Sequence, residues 1–421
     1  MDRRRFLKRV LGTAVSAAAF APLARADAAE DPTLQSLIEQ NQQIGFGQEF
    51  DSASRDIQMP QPSVPTLGPE TIAKTEQAIQ QYETIQAQGG WQPLPAAGQL
   101  RLGSRNPNVA ALRKRLEAVG DLRTNAGVPD VFDSYVAAAV QRFQSRHGLD
   151  VDGIVREDTY KALNVPVAVR LAQLHTNVAR LRALNVKFAE RFVLCNIPAA
   201  QLEAVENGIA VSRHTAIVGK PDRPSPEIQS RIVEVNFNPY WTVPVSIVRR
   251  DLIPKMQEEP DYLTRYHIRI FDQHGKELQP SDINWYSEEA VNYLFKQDPG
   301  DFNSLGQIRI NFPNTHEVYM HDTPSKNLFG EDFRFLSSGC VRVQNVRELV
   351  NWLLRGTPGW SDADIDDALR SGEQKNARLL KPVPLYWVYL TAWASADGIV
   401  QFRPDIYGRD DMGQHAASAK G

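Results

Sequence analysis

Two residue types that can perform covalent chemistry together lie in the last third of the chain. Cys340 stands in the run S-S-G-C-V-R, and His321 precedes it in the run E-V-Y-M-H-D-T-P. A cysteine attacks a carbonyl only as the thiolate, and an ordinary thiol with a pKa of about 8.5 is mostly protonated at neutral pH. A histidine can accept that proton, so the pair predicts Cys340 as a nucleophile and His321 as its general base.

The turn before the cysteine predicts a way to stabilise negative charge. Small residues around Gly339 allow backbone N–H groups to converge where an oxyanion would form, and each donor of this kind is worth roughly 3 to 4 kcal/mol. We expect the backbone of Gly339 and Cys340 to supply these donors. Ser337 and Ser338 are expected to shape the turn through local hydrogen bonds. A plain tight turn is the alternative for Gly339.

The strand-like run around the histidine predicts which side chains share its face. Alternation places Glu317, Tyr319 and His321 on one side and the apolar Val318 and Met320 on the other. The apolar pair belongs in a core, so the histidine and the tyrosine are expected to line a cleft. A contact with the substrate or the oxyanion is expected for Tyr319, with simple packing as the alternative.

Two more side chains are candidates for contacts with a substrate. Arg342 follows Cys340 by two residues, so a strand would direct both to the same side, where the arginine could steer carboxylates or favour the thiolate. A structural ion pair is its alternative. Trp241, in the run N-P-Y-W, is a candidate wall for a bound peptide, with a core position as the alternative.

The other cysteine and the other histidines are predicted to have structural and not catalytic roles. Cys195 lies in the apolar run R-F-V-L-C-N-I and is predicted to be a core residue, with a disulfide to Cys340 as the minor alternative. His147 is predicted to serve the fold, and His316 is expected to face away from the cleft. Scattered histidines and two cysteines give no zinc spacing, so neither a metal nor an organic cofactor is expected.

Length and composition predict a soluble protein of several domains. The 421 residues are enough for two or three domains of ordinary size. Hydrophobic residues make up 42% and charged residues 23%, and the net charge of −3 gives no general attraction to nucleic acid. Nothing in the sequence indicates the oligomeric state.

The first residues predict export from the cytoplasm. A basic start, an apolar stretch over residues 10–23 and small residues after it form an export signal over residues 1–28. The run R-R-R-F-L-K resembles the twin-arginine signature of the bacterial Tat system, with an ordinary Sec signal or membrane anchor as the alternative. The mature protein is expected in the periplasm, without stable insertion into the membrane.

Helical periodicity governs the next part of the chain. Residues 29–97 are predicted to be a linker and a helical scaffold segment, with a polar helix over 69–88. Apolar residues at helical spacing then predict a small bundle of three helices over 98–166, followed by a connecting helix over 167–189.

The rest of the chain changes to the pattern of strands. Short alternating runs predict a β-rich, β-sandwich-like domain over 190–403, interrupted by a helix over 345–354. Helical pieces over about 249–300 predict an insertion that could cover an active site. Residues 404–421 are expected to form a flexible tail. The predicted fold class is therefore multidomain, with both α and β parts.

The bundle resembles a known module. The run F-Q-S-R-H-G-L-D-V-D-G-I-V, together with the helix before it, is similar to the peptidoglycan-binding domain found on many bacterial cell-wall enzymes. The resemblance implies docking to the glycan or stem peptides of peptidoglycan, with a purely structural role as the alternative.

The cysteine region resembles the catalytic domain of L,D-transpeptidases of the YkuD type, in the larger subtype with a peptidoglycan-binding domain and an inserted lid. Fifteen residues separate His321 from the S-S-G-C run, as in that family's signature. Ser338 stands where many members have a second histidine, and Asp322 where a glycine is common. The resemblance assigns the base to His321, oriented by the backbone carbonyl of Asp322, with a role for its carboxylate as the weaker alternative.

The resemblance also implies a reaction. Cys340 would attack the carbonyl of the third residue of a tetrapeptide stem, release D-alanine and form a thioester that an amine of another stem resolves, giving a 3→3 cross-link. Hydrolysis, exchange of D-amino acids and anchoring of a lipoprotein are alternatives with the same residues. An inactive wall-binding scaffold and a protease of ordinary proteins are alternatives of other classes.

Overall fold

The computed structural model describes residues 63–95 and 98–410. The predicted export signal and most of the linker lie outside these residues, as does the end of the predicted tail. None of the helices within the described ranges is long and apolar enough to cross a lipid bilayer.

Five helices form the first part of the described chain. They are α1 (Thr71–Ala87), α2 (Pro107–Ala118), α3 (Ser134–His147), α4 (Glu157–Leu163) and α5 (Val167–Leu184). Local sequence explains the limits of the bundle helices. The side chains of Asn106 and Asp133 accept hydrogen bonds from the first turns of α2 and α3. Gly148 ends α3 with a left-handed φ of 66°, which glycine adopts without strain.

Helices α2, α3 and α4 pack around one apolar core, as the periodicity predicted. The shared core residues are fully or almost fully buried, and they include Val109, Leu112, Leu116, Phe132, Val136, Val140 and Phe143. A buried ion pair of 2.6 Å between Arg146 and Asp121 ties α3 to the end of α2. The bundle therefore has the three helices and the core faces expected from the sequence.

Fifteen strands follow. They are β1 (Arg191–Asn196), β2 (Gln201–Glu206), β3 (Ile209–Gly219), β4 (Ile228–Phe237), β5 (Trp241–Thr242), β6 (Ile268–Phe271), β7 (Glu277–Leu278), β8 (Leu294–Gln297), β9 (Ile308–Asn311), β10 (Met320–His321), β11 (Phe335–Ser337), β12 (Val341–Val343), β13 (Lys375–Val388), β14 (Ala392–Ala394) and β15 (Val400–Phe402). Nine of them form the main sheet, in the order β11-β3-β12-β10-β9-β4-β13-β1-β2.

The main sheet closes on itself because β3 changes partners along its length. Its first part pairs with β2, and its last residues pair with β12 and then with β11. The closed sheet surrounds a core that includes Val193, Cys195, Val235, Ile310, Met320, Val341 and Trp387. Strand β10 contains His321, the predicted base, and strand β12 begins directly after Cys340, the predicted nucleophile. The two strands are parallel neighbours in this sheet.

The predicted insertion is a separate lobe with its own sheet. Strands β5, β8, β6 and β7 pair in that order, and the helices of the lobe are α6 (Val245–Ile247), α7 (Ile253–Glu258) and α8 (Tyr262–Arg265), with a π-helical turn at Val248–Leu252. The predicted start at residue 249 is too late. Trp241 pairs with Gln297, so the two ends of the lobe are neighbouring strands and the lobe begins at β5.

The last elements join the β-rich part to the helices. Helix α9 (Val346–Leu354) buries the predicted apolar face against the main sheet, and α10 (Asp362–Ser371) follows it. Strands β14 and β15 form a hairpin that packs on α1 and α5. The hairpin contributes Phe402, which stacks on the ring of His147 with centroids 5.4 Å apart.

The beginning of the predicted tail is not flexible. Asp410 accepts a 2.7 Å hydrogen bond from the hydroxyl of Thr391 and forms a 2.5 Å ion pair with Arg180 of α5. Asp405 accepts a 2.6 Å hydrogen bond from the hydroxyl of Tyr389. Residues 404–410 are therefore fixed to the fold, which the local sequence did not indicate because their partners are distant in the chain.

Candidate active site

The register of two parallel strands brings the predicted nucleophile and base to one face of the sheet. Met320 pairs with Val341, and both side chains are fully buried in the core. Successive side chains of a strand point to opposite faces, so the flanking residues point away from that core. The flanking residues are Tyr319 and His321 on either side of Met320, and Cys340 and Arg342 on either side of Val341. Cys340 also packs partly against the core.

Tyr319 is the immediate neighbour of the cysteine. Hydrogen bonding from its backbone and its hydroxyl lowers the pKa of the Cys340 thiol, against the larger effect of burial. The indole N–H of Trp241 donates to the same hydroxyl across 3.2 Å. Burial raises the pKa of Tyr319 above its usual range, so the hydroxyl keeps its proton and remains a donor.

His321 is 6% exposed and has a fixed orientation. Its Nδ1 lies 2.5 Å from the carbonyl oxygen of Asp322, so Nδ1 carries the proton and Nε2 is left as the acceptor. Burial, and then the positive charge of Arg342, lowers the pKa of His321 to about 3. The imidazole is therefore neutral over the whole ordinary pH range and able to accept a proton.

The thiol of Cys340 is neutral as well. Burial raises its pKa to about 11, against the opposing effects of the hydrogen bonds from Tyr319 and the charges of Arg309 and Arg342. The resting site thus holds a neutral thiol and a neutral imidazole rather than an ion pair. A thiolate at Cys340 would therefore have to form by loss of the proton to a neighbouring base, with the charges and donors around the sulfur stabilising it as it forms.

Two buried hydroxyl groups hold the turn before Cys340, the predicted nucleophile. Ser225 donates a 2.8 Å hydrogen bond to the carbonyl of Gly339, and Ser337 donates a 2.5 Å hydrogen bond to the carbonyl of Cys340. Gly339 has a φ of 113°, in the region that favours glycine. Because a trans peptide directs its N–H opposite its carbonyl, the bond from Ser225 fixes the direction of the Cys340 amide.

The Gly339 amide departs from the sequence-based expectation. It donates a 3.2 Å hydrogen bond to the hydroxyl of Ser337 and is therefore occupied within the turn. The amide of Cys340 forms no hydrogen bond with any described residue. The turn thus offers the Cys340 amide, and not the Gly339 amide, as a free backbone donor in this conformation.

Arg309 also lies at the site, although it was not among the residues predicted from the sequence. It lies opposite His321 on the neighbouring strand β9, and its guanidinium lies 4.3 Å from the centre of the Tyr319 ring. The Nε atoms of Arg309 and Arg342 are buried and have no hydrogen-bond partner among the described residues. The alternation of Ile308, Arg309 and Ile310 was the signal that could have placed this arginine on the outer face.

The side chain of Asp322 has a different task from its carbonyl. Its carboxylate forms an ion pair with Lys326 and accepts a 3.2 Å hydrogen bond from the amide of Gln307. Gly306 approaches so closely that a Cβ there would lie 2.4 Å from the carboxylate. The carboxylate therefore holds the backbone after His321 in place. Nothing in the local sequence distinguishes Gly306 as part of this support.

The predicted face of the histidine strand is shorter than expected. Glu317 has a φ of 55° and is exposed, so the strand alternation does not extend to it. His316 is exposed as well, outside the cleft. Ser338 is exposed at the surface of the turn, where its hydroxyl lies 3.1 Å from Nη1 of Arg223. Arg223 also forms a 2.5 Å ion pair with Asp251 of the inserted lobe.

Residues outside the cleft have the structural positions expected of them. Cys195 is a free thiol, fully buried in the core of the main sheet, and burial raises its pKa to about 12. His147 is buried, and its Nδ1 lies 2.7 Å from the carbonyl of Phe143. Within residues 63–95 and 98–410 no group of three or more histidine, cysteine or acidic side chains could hold a metal ion.

Comparison with known families covers both parts of the molecule. Residues 190–360 match the YkuD family, the L,D-transpeptidase catalytic domain, and residues 105–163 match a family described as "Putative peptidoglycan binding domain". The first match includes every candidate catalytic residue, and the second includes helices α2, α3 and α4.

Two curated relatives match parts of this chain. A Haemophilus influenzae protein named "Putative L,D-transpeptidase" is 35% identical over 239 residues, which are 56% of this chain and 48% of that protein. The N-acetylmuramoyl-L-alanine amidase CwlM of Mycobacterium tuberculosis is 43% identical over 72 residues, 15% of this chain and 18% of that protein. The chain thus spans about half of the first relative and less of the second.

Solved structures are similar only at low identity. An L,D-transpeptidase from Xylanimonas cellulosilytica is 16% identical, with 70% of this chain and 99% of that chain covered and a TM-score of 0.23. One from Mycobacterium smegmatis is 13% identical, with 48% and 59% covered and a TM-score of 0.23. TM-scores this low do not establish a shared fold. The two family matches indicate that residues 190–360 are similar to the L,D-transpeptidase catalytic domain and residues 105–163 to the putative peptidoglycan binding domain.

Proposed function

We propose that the protein is a cell-wall L,D-transpeptidase that forms 3→3 peptidoglycan cross-links through a thioester on Cys340. The observation that carries the proposal is the placement of Tyr319, His321 and Cys340 on one face of two parallel strands. The catalytic-domain match supports the reaction class. No cofactor takes part in the chemistry described below.

In the first half-reaction, Nε2 of His321 takes the proton of the thiol while the sulfur attacks the carbonyl of the third residue of a tetrapeptide stem. The oxyanion that forms is stabilised by the amide of Cys340 and by the positive charges of Arg309 and Arg342. The C–N bond then breaks, His321 returns the proton to the leaving amine, and D-alanine departs. The third residue is left as a thioester on the sulfur.

In the second half-reaction, an amine of another stem attacks the thioester carbonyl. His321 accepts a proton from the attacking nitrogen, the C–S bond breaks, and the sulfur leaves as a thiolate that recovers the proton. The new amide joins the third residues of two stems. The hydrogen bonds from Tyr319 to the sulfur stabilise the thiolate in both half-reactions.

The supporting residues have distinct roles in this proposal. The carbonyl of Asp322 orients His321, and Ser337 and Ser338 shape the turn that carries the nucleophile. Gly339 allows the turn to form. Trp241 positions Tyr319 and forms one wall of the peptide site, and Arg342 attracts a carboxylate of the substrate.

The partners follow from the two domains. The peptidoglycan-binding domain would hold glycan or stem peptides, and the catalytic domain would act on stems nearby. Because that substrate lies outside the cytoplasm, the protein would work in the periplasm. Export by the Tat pathway rests on residues 1–28, which the structure does not describe. Hydrolysis, D-amino-acid exchange and lipoprotein anchoring differ only in the acceptor that resolves the thioester.

The test is to incubate the protein, without residues 1–28, with purified disaccharide-tetrapeptide and to identify products by mass spectrometry. Cross-linked dimers with loss of D-alanine are expected, and Cys340→Ala should abolish them. Tripeptide monomers alone would replace the proposal with hydrolysis. If the protein yields neither product and forms no covalent adduct with a carbapenem, the proposed activity is wrong.

A further inference from the structure

Tyr407, near the end of the described chain, reaches the loop that joins β3 to β4. Its hydroxyl donates a 2.5 Å hydrogen bond to the carbonyl of Gly219, at the end of β3, and accepts a 3.2 Å hydrogen bond from the amide of Ser225. Burial raises the pKa of Tyr407, so the hydroxyl keeps its proton and remains a donor. One phenol therefore holds the loop at two points.

The backbone that the phenol holds is bonded in turn to the turn before the predicted nucleophile. The amide of Gly219 donates a 2.9 Å hydrogen bond to the hydroxyl of Ser225, and that hydroxyl donates a 2.8 Å hydrogen bond to the carbonyl of Gly339. The amide of Lys220 donates a 3.0 Å hydrogen bond to the carbonyl of Ser337. The loop therefore contacts the turn at two carbonyl groups.

Gly219 lies too close to the rest of the loop for any side chain. A Cβ at this position would lie 2.4 Å from the carbonyl oxygen of Arg223 and 2.4 Å from the amide nitrogen of Ser225. The end of β3 and the loop are therefore in direct backbone contact. Because backbone atoms cannot rotate aside as a flexible side chain can, a shift of one segment moves the other.

Tyr407 is itself fixed by the core of the main sheet. Its ring stacks on that of Tyr389, with centroids 5.4 Å apart, and its amide donates a 2.8 Å hydrogen bond to the Tyr389 hydroxyl. Tyr389 is fully buried, and its hydroxyl donates a 2.6 Å hydrogen bond to Asp405. The hydroxyl of Tyr407 therefore has a fixed position from which it holds the loop.

We propose that Tyr407 is a positioning residue for the oxyanion donor: it holds Ser225, and Ser225 directs the amide of Cys340. The inference rests on the proposed function and deepens it, because it adds to that site a residue outside the matched residues 190–360. Tyr407 acts through Ser225 and the following peptide, so its effect is confined to steps in which a carbonyl oxygen becomes an oxyanion.

The experiment compares two reactions of Cys340 in the protein without residues 1–28. The reagent p-nitrophenyl acetate transfers its acetyl group to the sulfur, with loss of p-nitrophenolate, through addition to a carbonyl that becomes an oxyanion. Iodoacetamide alkylates the same sulfur by displacement of iodide, and no oxyanion forms. Both products at Cys340 are quantified by mass spectrometry at short times in the unsubstituted protein and in Tyr407→Phe, which keeps the ring.

The matched control is Tyr386→Phe, which removes a hydroxyl that donates to the carbonyl of Lys187 across 3.2 Å, between β13 and the segment after α5. Tyr407→Phe should slow acetylation about fivefold and leave alkylation within about twofold of its original rate, whereas Tyr386→Phe should change neither. Ser225→Ala should slow acetylation more. Adding Tyr407→Phe to it should have no further effect, because the phenol acts through the lost hydroxyl.

Four results would overturn the inference. They are equal acetylation rates in Tyr407→Phe and Tyr386→Phe, equal slowing of both reactions by Tyr407→Phe, additive effects in the double variant, and no acetylation of Cys340 in any of the proteins. Neither reaction uses peptidoglycan. Absent cross-linked dimers together with selectively slowed acetylation would therefore reject the proposed function and leave the role of Tyr407 standing.

Discussion

The hydroxyl of Ser225 donates a hydrogen bond of 2.8 Å to the carbonyl oxygen of Gly339. Ser225 is fully buried and also accepts a 2.9 Å hydrogen bond from the amide of Gly219. This side chain therefore connects the end of β3 to the turn before Cys340. Through the planar peptide that follows, it sets the direction of the Cys340 amide.

Replacing Ser225 with alanine is expected to reduce kcat at least tenfold while KM changes little, since the oxyanion donor loses its fixed direction. The free energy of unfolding should fall by about 1 to 3 kcal/mol, because buried groups lose their partner. Steady-state kinetics and urea unfolding measure both effects. Ser230→Ala is the control, since that hydroxyl also donates to a backbone carbonyl, at 2.6 Å from Pro313, away from the site. Equal kcat in the two variants would contradict the assignment.

Gly306→Ala is expected to displace His321, the proposed base, indirectly through Asp322. The added Cβ would lie 2.4 Å from the carboxylate of Asp322, and the φ of 59° is unfavourable for alanine. Displacement of Asp322 moves the carbonyl that holds His321, so kcat should fall by about tenfold or more.

The control for this prediction is Gly330→Ala, where a Cβ would meet no atom within 4 Å. The kinetic comparison uses the same donor stem for both variants. A Gly306→Ala protein with unchanged kcat would show that the close approach to Asp322 is not needed for the orientation of His321.

Alkylation of Cys340 should report a neutral thiol. Its pKa of about 11 lies above that of an ordinary cysteine, so the thiolate fraction and the rate of reaction with iodoacetamide should rise about tenfold per pH unit from pH 7 to 10. Removing the charge in Arg342→Gln should raise the pKa of the thiol further and slow the reaction at every pH in this range.

The adduct is quantified by mass spectrometry at short times. The Cys340→Ala protein is the control and should remain unlabelled, because its only cysteine, Cys195, is fully buried. A rate that is already constant at pH 7 would mean that the resting site holds a thiolate and an imidazolium, against the neutral pair described above.

His147 should make stability depend on pH. Burial lowers its pKa well below the usual 6.5, so below this pH the unfolded chain binds a proton that the folded protein does not. Stability therefore falls as the pH falls, by about 1.4 kcal/mol for this group between pH 7.5 and 5.5. His147→Phe keeps a ring in the stack and should lose this part of the pH dependence.

Urea unfolding at the two pH values measures the difference. His274→Phe, the same exchange at an exposed position, is the control and should retain the full pH dependence. If His147→Phe and the unsubstituted protein lose equal stability between the two pH values, His147 is not the buried neutral group proposed here.

The sequence predicted those features of the fold and the site that depend on residues close together in the chain. The spacing of His321 and Cys340 and the alternation around Met320 predicted residues that two neighbouring strands do bring together. Helical periodicity predicted the bundle core, and the apolar run around Cys195 predicted its burial.

The rest depended on contacts between distant parts of the chain. Ser225 reaches the turn because β3 changes partners, and Arg309 faces the site because β9 pairs with β10. Asp410 is fixed by Arg180, 230 residues away. Such partners leave no local pattern. The left-handed conformation of Glu317 likewise shortens a strand that the alternation of side chains had predicted to be longer.

The ring of His147 lies between Phe143 of the bundle and Phe402 of the C-terminal hairpin, with centroids 3.8 Å and 5.4 Å away. A hydrogen bond of 3.1 Å from Arg403 to the carbonyl of Arg146 closes the same joint. A wall-binding module on a tether would let an enzyme search a wide radius. Here, under the proposed function, the contacts of the module would instead fix its distance from Cys340. The spacing of stems along the glycan would then decide which stems Cys340 can reach.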